Sequence, residues 1–251
     1  MNRLAIVGGT GLNRLAGLEV VRQHQVETPY GAPSGPVIEG RYAGTDCLFL
    51  ARHGTPHRIP PHGINYRANI WALRQLQAQA VLGINAVGGI LPELVPGRLV
   101  VPDQLVDYTW GRAHSFYDGT PVDGGLGELD HIDFTAPYDE GLRQRLLSAA
   151  KQRQLSVVDA GTYGVTQGPR LETAAEVRRL GQEGCTVVGM TGMPEAALAA
   201  ECGLAYASLC VVVNPAAGLA DEPITLDSMK AALEQGAERV EQLLTALLES
   251  A

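Results

Sequence analysis

Apolar stretches in this chain run repeatedly into a turn marked by glycine or proline and then into a helix start. That repetition narrows the fold more than any other feature. Two of these junctions carry the most chemistry. At the first, Val165 and Thr166 end a β-branched run and Gly168-Pro169 forms a turn pair. The segment QGPRLET (167–173) then brings Leu171 and Glu172 to the point where a helix should begin. At the second, VVGMTGMPE (187–195) ends an apolar run at Gly189-Met190-Thr191-Gly192 and opens another helix at Pro194-Glu195. Strand ends of this kind hold ligands in open α/β sheets. A carboxylate at a helix start has a plainer use as well, because it complements the helix dipole. For either segment alone, Glu172 and Glu195 fit both roles.

A length of 251 residues suits one large α/β domain over 1–251, and 45% hydrophobic residues with 30 glycines is a globular composition. The net charge of -8 argues against nucleic acid or an anionic membrane as partner, so any phosphate must be held by local geometry. Cys47, Cys185, Cys202 and Cys210 lie in apolar runs without metal-like spacing and read as buried thiols in a reducing compartment. No apolar run reaches membrane-spanning length. The start, MNRLAIVGGTG, enters a strand at once rather than forming a signal peptide, so a cytoplasmic location is expected.

Arg3 to Val7 reads as a short buried strand followed by the turn Gly8-Gly9-Thr10-Gly11. Arg14 stands where a dinucleotide fingerprint needs its third glycine, and no Gly-Lys-Ser/Thr is present. What remains is a turn whose backbone N–H groups and Thr10 hydroxyl suit an anion, or a tight turn alone. β-like runs near 18–27, 36–42 and 46–51 lead to Arg52-His53-Gly54-Thr55-Pro56-His57. Arg52 and His53 offer a fork of donors and an imidazole to an oxyanion. Arg-His-Gly is also the signature of histidine phosphatases. That chemistry needs a second, late histidine, and none follows His131.

Helical spacing covers Asn65 to Ala78, with Ile70, Leu73, Leu76 and Ala80 on one face. A buried strand from Val81 ends in Asn85-Ala86-Val87-Gly88-Gly89, and Leu99 to Val106 reads as another strand. Residues 107–137 are polar and loop-like, longer than an ordinary connection, which suggests function or subunit contact. Helices are expected at about 138–153, 173–183 and 194–201, and strands at 156–166, 185–189 and 204–213. The last strand ends in Asn214-Pro215-Ala216-Ala217-Gly218. A C-terminal helix from about Thr225 to Leu248 carries Leu226, Met229, Leu233, Ala237, Val240, Leu244 and Leu247 as its inner stripe. The expected architecture is a single-domain, three-layer α/β/α sandwich with a mixed central sheet.

GGTGL (8–12), ARHGTPH (51–57), NYRANIWAL (65–73), SFYDG (115–119), QGPRLET (167–173) and VVGMTGMPEAALA (187–199) together resemble the trimeric nucleoside phosphorylase family. That family contains the purine nucleoside and methylthioadenosine phosphorylases. The likeness spans nearly the whole chain, with the motifs in the family's order. The first half is closer to methylthioadenosine phosphorylases. The second half, with Leu171-Glu172 and Gly189-Met190, is closer to the 6-oxopurine enzymes. The mixture is similar to the bacterial branch acting on S-methyl-5'-thioinosine.

The resemblance implies phosphorolysis of a purine nucleoside in a homotrimer. Inorganic phosphate is then the co-substrate, no cofactor or metal is needed, and the fold is nucleoside phosphorylase-like. It places phosphate among Thr10, Arg52, His53, Asn85, Ala86 and Thr191, with Arg52 supplying the formal charge. Asn85 and Gly192 stand where relatives usually carry hydroxyl residues; Asn85 can still donate, and Gly192 cannot through a side chain. Leu171, Glu172, Met190, Asn214 and Ala216 surround the base and ribose, with Asn214, His53 and Glu172 as the catalytic set. His57, Leu226 and Met229 surround the 5' group, joined by His131 of a neighbouring subunit. Glu172 suits the N1–H of hypoxanthine, and Ala216 stands where adenine-specific relatives carry aspartate. The alternatives are a 6-oxopurine nucleoside phosphorylase, a methylthioadenosine phosphorylase, a nucleosidase, and a non-catalytic nucleoside or phosphate binder.

Overall fold

β1 (Leu4–Gly8) is buried along its whole length, and successive side chains enter opposite cores: Ala5 and Val7 one, Leu4 and Ile6 the other. Apolar side chains on both faces make such a strand the middle of a sheet covered on two sides. The structure, a computed structural model, describes residues 3–12, 14–119 and 122–250. After β1 come β2 (Glu19–His24), β3 (Val37–Tyr42), β4 (Thr45–Ala51), α1 (Tyr66–Gln75), β5 (Ala80–Gly89), β6 (Leu99–Val101), β7 (Gln104–Asp107) and α2 (Glu140–Gln152). The second half carries β8 (Val157–Asp159), β9 (Thr162–Val165), α3 (Ala174–Gln182), β10 (Cys185–Gly189), α4 (Glu195–Glu201), β11 (Ala205–Pro215) and α5 (Leu226–Glu249).

The sheet runs β2-β3-β4-β1-β5-β10-β9-β7, and the other edge of β5 carries β11, then β6, then β8. It is mixed: β5 is parallel to β1 and β11 and antiparallel to β10. Residues of α1 and α4 fill the core on one face, and residues of α2 and α5 fill the core on the other. α3 covers a smaller apolar cluster with Val177 and Leu180. The fold is therefore a three-layer α/β/α sandwich. Among the described residues, no helix is long and apolar enough to cross a membrane.

β5 is the strand that creates the site. On one edge it pairs with β11 nearly throughout. On the other it pairs with β1 through Ala80–Gly83 and with β10 only at Gly88 and Gly89. Residues 84–87 have no strand on that edge, so the sheet opens there.

Two expected strands are each divided. The one expected over 99–106 is β6 and β7, interrupted at Pro102, which has no N–H for the ladder and whose carbonyl accepts from Arg143 Nε at 3.0 Å. The one expected over 156–166 is β8 and β9, separated by Ala160 and Gly161 with φ of 80° and 134°. Residues 108–119 and 122–137 carry neither helix nor strand, as their polarity suggested.

α5 approaches β11 through Gly236, where an added Cβ would lie 2.3 Å from Val211 Cγ1. Alanine in place of a helical glycine ordinarily gains about 1 kcal/mol. Overpacking a stiff, buried valine costs about 1–3 kcal/mol and should outweigh that gain. Gly236→Ala is expected to lower unfolding stability in urea; a more stable variant would contradict the close approach.

Candidate active site

The opening beside β5 holds a cavity of about 180 Å³. Its wall takes Gly9 and Thr10 from the turn after β1, His53 from the turn after β4, and Ala86–Gly88 from β5. Pro169, Leu171 and Glu172 come from the segment before α3, Val188–Thr191 from the end of β10, and Val213, Asn214, Ala216 and Ala217 from the end of β11. Ile224 and Met229 line it from around the start of α5. Elements distant in sequence thus converge at strand ends, where an open α/β sheet places its ligands. A register shift between Val212 and Asn214 breaks the alternation of β11 beside the cavity, and Asn214 lines it. Asn214 Nδ2 donates to Pro215 O at 2.6 Å.

Behind the cavity runs a buried polar seam. Arg52 is fully buried and donates from Nε and Nη2 to the two oxygens of Glu195, each at 2.7 Å. Its Nη1 donates to Ile84 O at 2.9 Å, and Tyr206 Oη donates to Glu195 Oε1 at 2.9 Å. Gly83 makes this possible, because a Cβ there would lie 2.4 Å from Tyr206 Oη and 2.8 Å from Glu195 Oε1. Two residues further along β5, Asn85 donates to Ser208 Oγ at 2.6 Å and to Gly83 O at 3.3 Å. Its Oδ1 accepts from Thr191 Oγ1 at 2.9 Å.

Other expected site residues lie off the cavity wall. Arg52 does not line the cavity or present a free fork to an anion, because a guanidinium removed from water needs a matching charge and Glu195 supplies it. Glu195 is accordingly a buried counter-ion rather than a carboxylate that only complements its helix. Asn85 does not line the cavity either; both N–H groups of its amide are engaged, and its oxygen orients Thr191. His57 is exposed and stacks on His53 with centroids 4.2 Å apart, but it does not line the cavity. His131 is exposed and away from the cavity of its own chain. The Leu226 side chain lies outside the described ones. The glycine at 192 has a steric reason: a Cβ there would lie 2.8 Å from the Tyr163 ring.

Thr10, His53, Ala86, Leu171, Glu172, Met190, Thr191, Asn214, Ala216 and Met229 do meet around the one cavity. Glu172 lies just before α3 and does not cap it. The capping carboxylate is Glu176, which accepts from the Thr173 N–H at 2.7 Å. Glu172 Oε1 instead accepts from Thr166 Oγ1 at 2.5 Å. That contact was not anticipated, although Thr166 stood at the noted strand end. Among the described residues, no cluster of His, Cys, Asp and Glu could hold a metal ion.

His53 is nearly fully buried, and its Nδ1 lies 2.8 Å from Ile59 O. A carbonyl only accepts, so Nδ1 carries the proton and Nε2 of the neutral ring is an acceptor. Burial is the main force on its pKa; the Ile59 bond opposes it, and Arg52 and His57 add to it, leaving the ring at about 4.

The chain matches the family model described as the phosphorylase superfamily over residues 3–249. The chain belongs to the phosphorylase superfamily. It is 52% identical to a probable S-methyl-5'-thioinosine phosphorylase of Pseudomonas syringae over 99% of both chains. It is 41% identical to a 6-oxopurine nucleoside phosphorylase of Pyrococcus furiosus, covering 99% of this chain and 92% of that one. Among solved structures it superposes on a methylthioadenosine phosphorylase from Schistosoma mansoni in complex with adenine, with a TM-score of 0.94 and 32% identity. The match covers 99% of this chain and 91% of that chain. Within this superfamily member, the cavity described above is the candidate active site.

The depressed His53 pKa has a consequence for stability. Between pH 6.5 and about 4 the unfolded state binds a proton that the folded ring does not, so stability falls as pH drops through that window. The effect is on the order of 2 kcal/mol between pH 7 and 5. His53→Asn should reduce the stability difference between those pH values by about that amount in urea titrations. An unchanged difference would show that the ring is not held neutral by burial.

Proposed function

We propose that this protein cleaves S-methyl-5'-thioinosine with inorganic phosphate, giving hypoxanthine and 5-methylthioribose 1-phosphate. The observation that carries the base assignment is Glu172 on the cavity wall. Thr166 holds one of its oxygens, which leaves the other for a purine N1–H. Hypoxanthine carries that proton, whereas adenine presents a lone pair to the same negative charge. Ala216 offers no carboxylate to an adenine amino group. Asn214 assists at N7 or O6, where negative charge collects as the glycosidic bond breaks.

Phosphate sits among Thr10, His53, the Ala86 backbone and Thr191 in this proposal. His53 Nε2 is an acceptor and suits a P–OH group of a protonated phosphate, as does the Thr191 hydroxyl oxygen, whose own proton goes to Asn85 Oδ1 at 2.9 Å; the Thr10 hydroxyl and the Ala86 N–H are the donors. Arg52 contributes from behind, fixing the turn that carries His53. No covalent enzyme intermediate is required: the site holds phosphate beneath C1' and stabilises the departing base. Ile224 and Met229 give the cavity an apolar side, which supports a thioether rather than a hydroxyl at the 5' end. The homotrimer implied by the family likeness would bring His131 to a neighbour's site, a role its exposure permits. A cytoplasmic location accords with four free cysteines.

Incubation with S-methyl-5'-thioinosine should release hypoxanthine only when phosphate is present, and the sugar product should carry phosphate at C1. Release at equal rate without phosphate would identify a nucleosidase; binding without release would identify a non-catalytic binder. Preference over inosine should be modest, on the order of 10–200-fold in kcat/KM. Equal values for the two nucleosides would leave an ordinary purine nucleoside phosphorylase.

A further inference from the structure

Glu172 is half-buried and forms part of the wall of two cavities. One is the candidate active site. The other, about 330 Å³, lies among Tyr108, Trp110, Thr166, Arg170 and Arg179. A flexible carboxylate in that position has two directions open to it, and the outer one leads toward Arg170, which is paired with Glu176 at 2.8 Å. Something must fix the carboxylate if it is to read the base. Thr166, which lines the outer cavity, fixes one of its oxygens through its hydroxyl, at 2.5 Å from Glu172 Oε1, and the same hydroxyl lies 3.3 Å from the carbonyl of Gly189 on the inner wall.

Thr166 is itself fixed. Its N–H donates to Gly189 O at 2.8 Å, and its carbonyl accepts from Arg112 Nη2 at 3.2 Å. Arg112 is buried and uses all five of its N–H donors on neutral acceptors. Nη2 also reaches Gln167 O at 2.9 Å, Nε reaches Gln167 Oε1 at 3.3 Å, and Nη1 reaches Tyr66 Oη at 3.3 Å and the carbonyl of Met193. Among the described residues, no carboxylate lies within ion-pair distance of it. The rigid fork of a guanidinium can bridge two loops in this way; a lysine ammonium cannot. Arg112 thus clips the end of β9, which leads to Glu172, to the segment after β10, which follows Met190 and Thr191.

We propose that Arg112 and Thr166 are positioning residues that set base selectivity: Arg112 fixes the Thr166 backbone, and the Thr166 hydroxyl holds Glu172 against the purine. This rests on Glu172 being the base-recognising carboxylate.

The test measures kcat/KM for paired 6-oxo and 6-amino nucleosides, S-methyl-5'-thioinosine and S-methyl-5'-thioadenosine, in the full-length enzyme. Thr166→Val should lower the 6-oxo value about tenfold or more, the scale of a lost hydrogen bond to a charged group, and reduce the oxo-to-amino ratio. The phosphate KM should stay near that of the unmodified enzyme. Thr166→Ser, which keeps the hydroxyl, should restore the ratio, which a purely structural role for Thr166 would not require. Arg112→Lys should reduce the ratio and add little in the Thr166→Val background. Glu172→Gln is the control for the underlying assignment. If Glu172→Gln collapses the ratio and Thr166→Val leaves it intact, the positioning role is wrong while the base assignment stands. If Glu172→Gln leaves the ratio intact, both fall.

Discussion

Arg52 and Glu195 stand 143 positions apart in the chain, and neither could be buried without the other. Their two-pronged contact at 2.7 Å ties the turn after β4 to the first residue of α4. The turn after β4 carries His53, and the loop before α4 carries Met190 and Thr191, so one ion pair sets the spacing between two walls of the cavity. The pair occupies space that β5 provides by having no side chain at Gly83. Tyr206 from β11 closes the group with a third hydrogen bond. A second rung, Ser208–Asn85–Thr191, repeats the pattern without charge and fixes the Thr191 hydroxyl on the cavity wall with its proton on Asn85.

In the proposed phosphate site the anion meets neutral groups, with the Arg52 guanidinium buried behind them. Direct contact with an arginine is unnecessary when neutral donors are preorganised and a buried cation stands behind them. The same logic accounts for His53. Its tautomer is fixed by the Ile59 carbonyl, and burial beside Arg52 keeps the ring uncharged. Such a ring suits a protonated phosphate oxygen better than it suits a bare one. On the purine side, Arg112 serves two loops with its full set of donors and meets no carboxylate among the described residues. Rigid cationic clips therefore lie on both sides of the cavity.

Most of the layered fold was legible in the sequence, because period-2 and period-3.6 apolar patterns are local signals. The runs at β1, β10 and α5 were long or regular enough to bound within a few residues. Where one strand became two, at Pro102 and at Ala160-Gly161, the breaking residue was visible but the apolar run on either side masked it. The site residues at glycine-marked strand ends, such as Thr10, Glu172 and Thr191, were also legible. The engagement of Arg52 and Asn85 was not, because their partners are distant in sequence and no local spacing reports a buried ion pair. Gly83 was the one available hint, since a glycine inside a buried strand often marks a close approach. Arg112 gave none: in sequence it is one cation within a polar loop.

The central claim is that Glu172 reads a 6-oxopurine. It is tested most directly by comparing kcat/KM for S-methyl-5'-thioinosine and S-methyl-5'-thioadenosine at saturating phosphate in the unmodified enzyme. The two nucleosides differ only at the base edge that Glu172 would face, so neither phosphate binding nor the 5' group enters the ratio. The inosine-type substrate should be turned over far more efficiently, by up to about 10⁴–10⁵-fold if the site discriminates as fully as a hydrogen-bonding pocket can. Faster turnover of the adenosine-type substrate would contradict it.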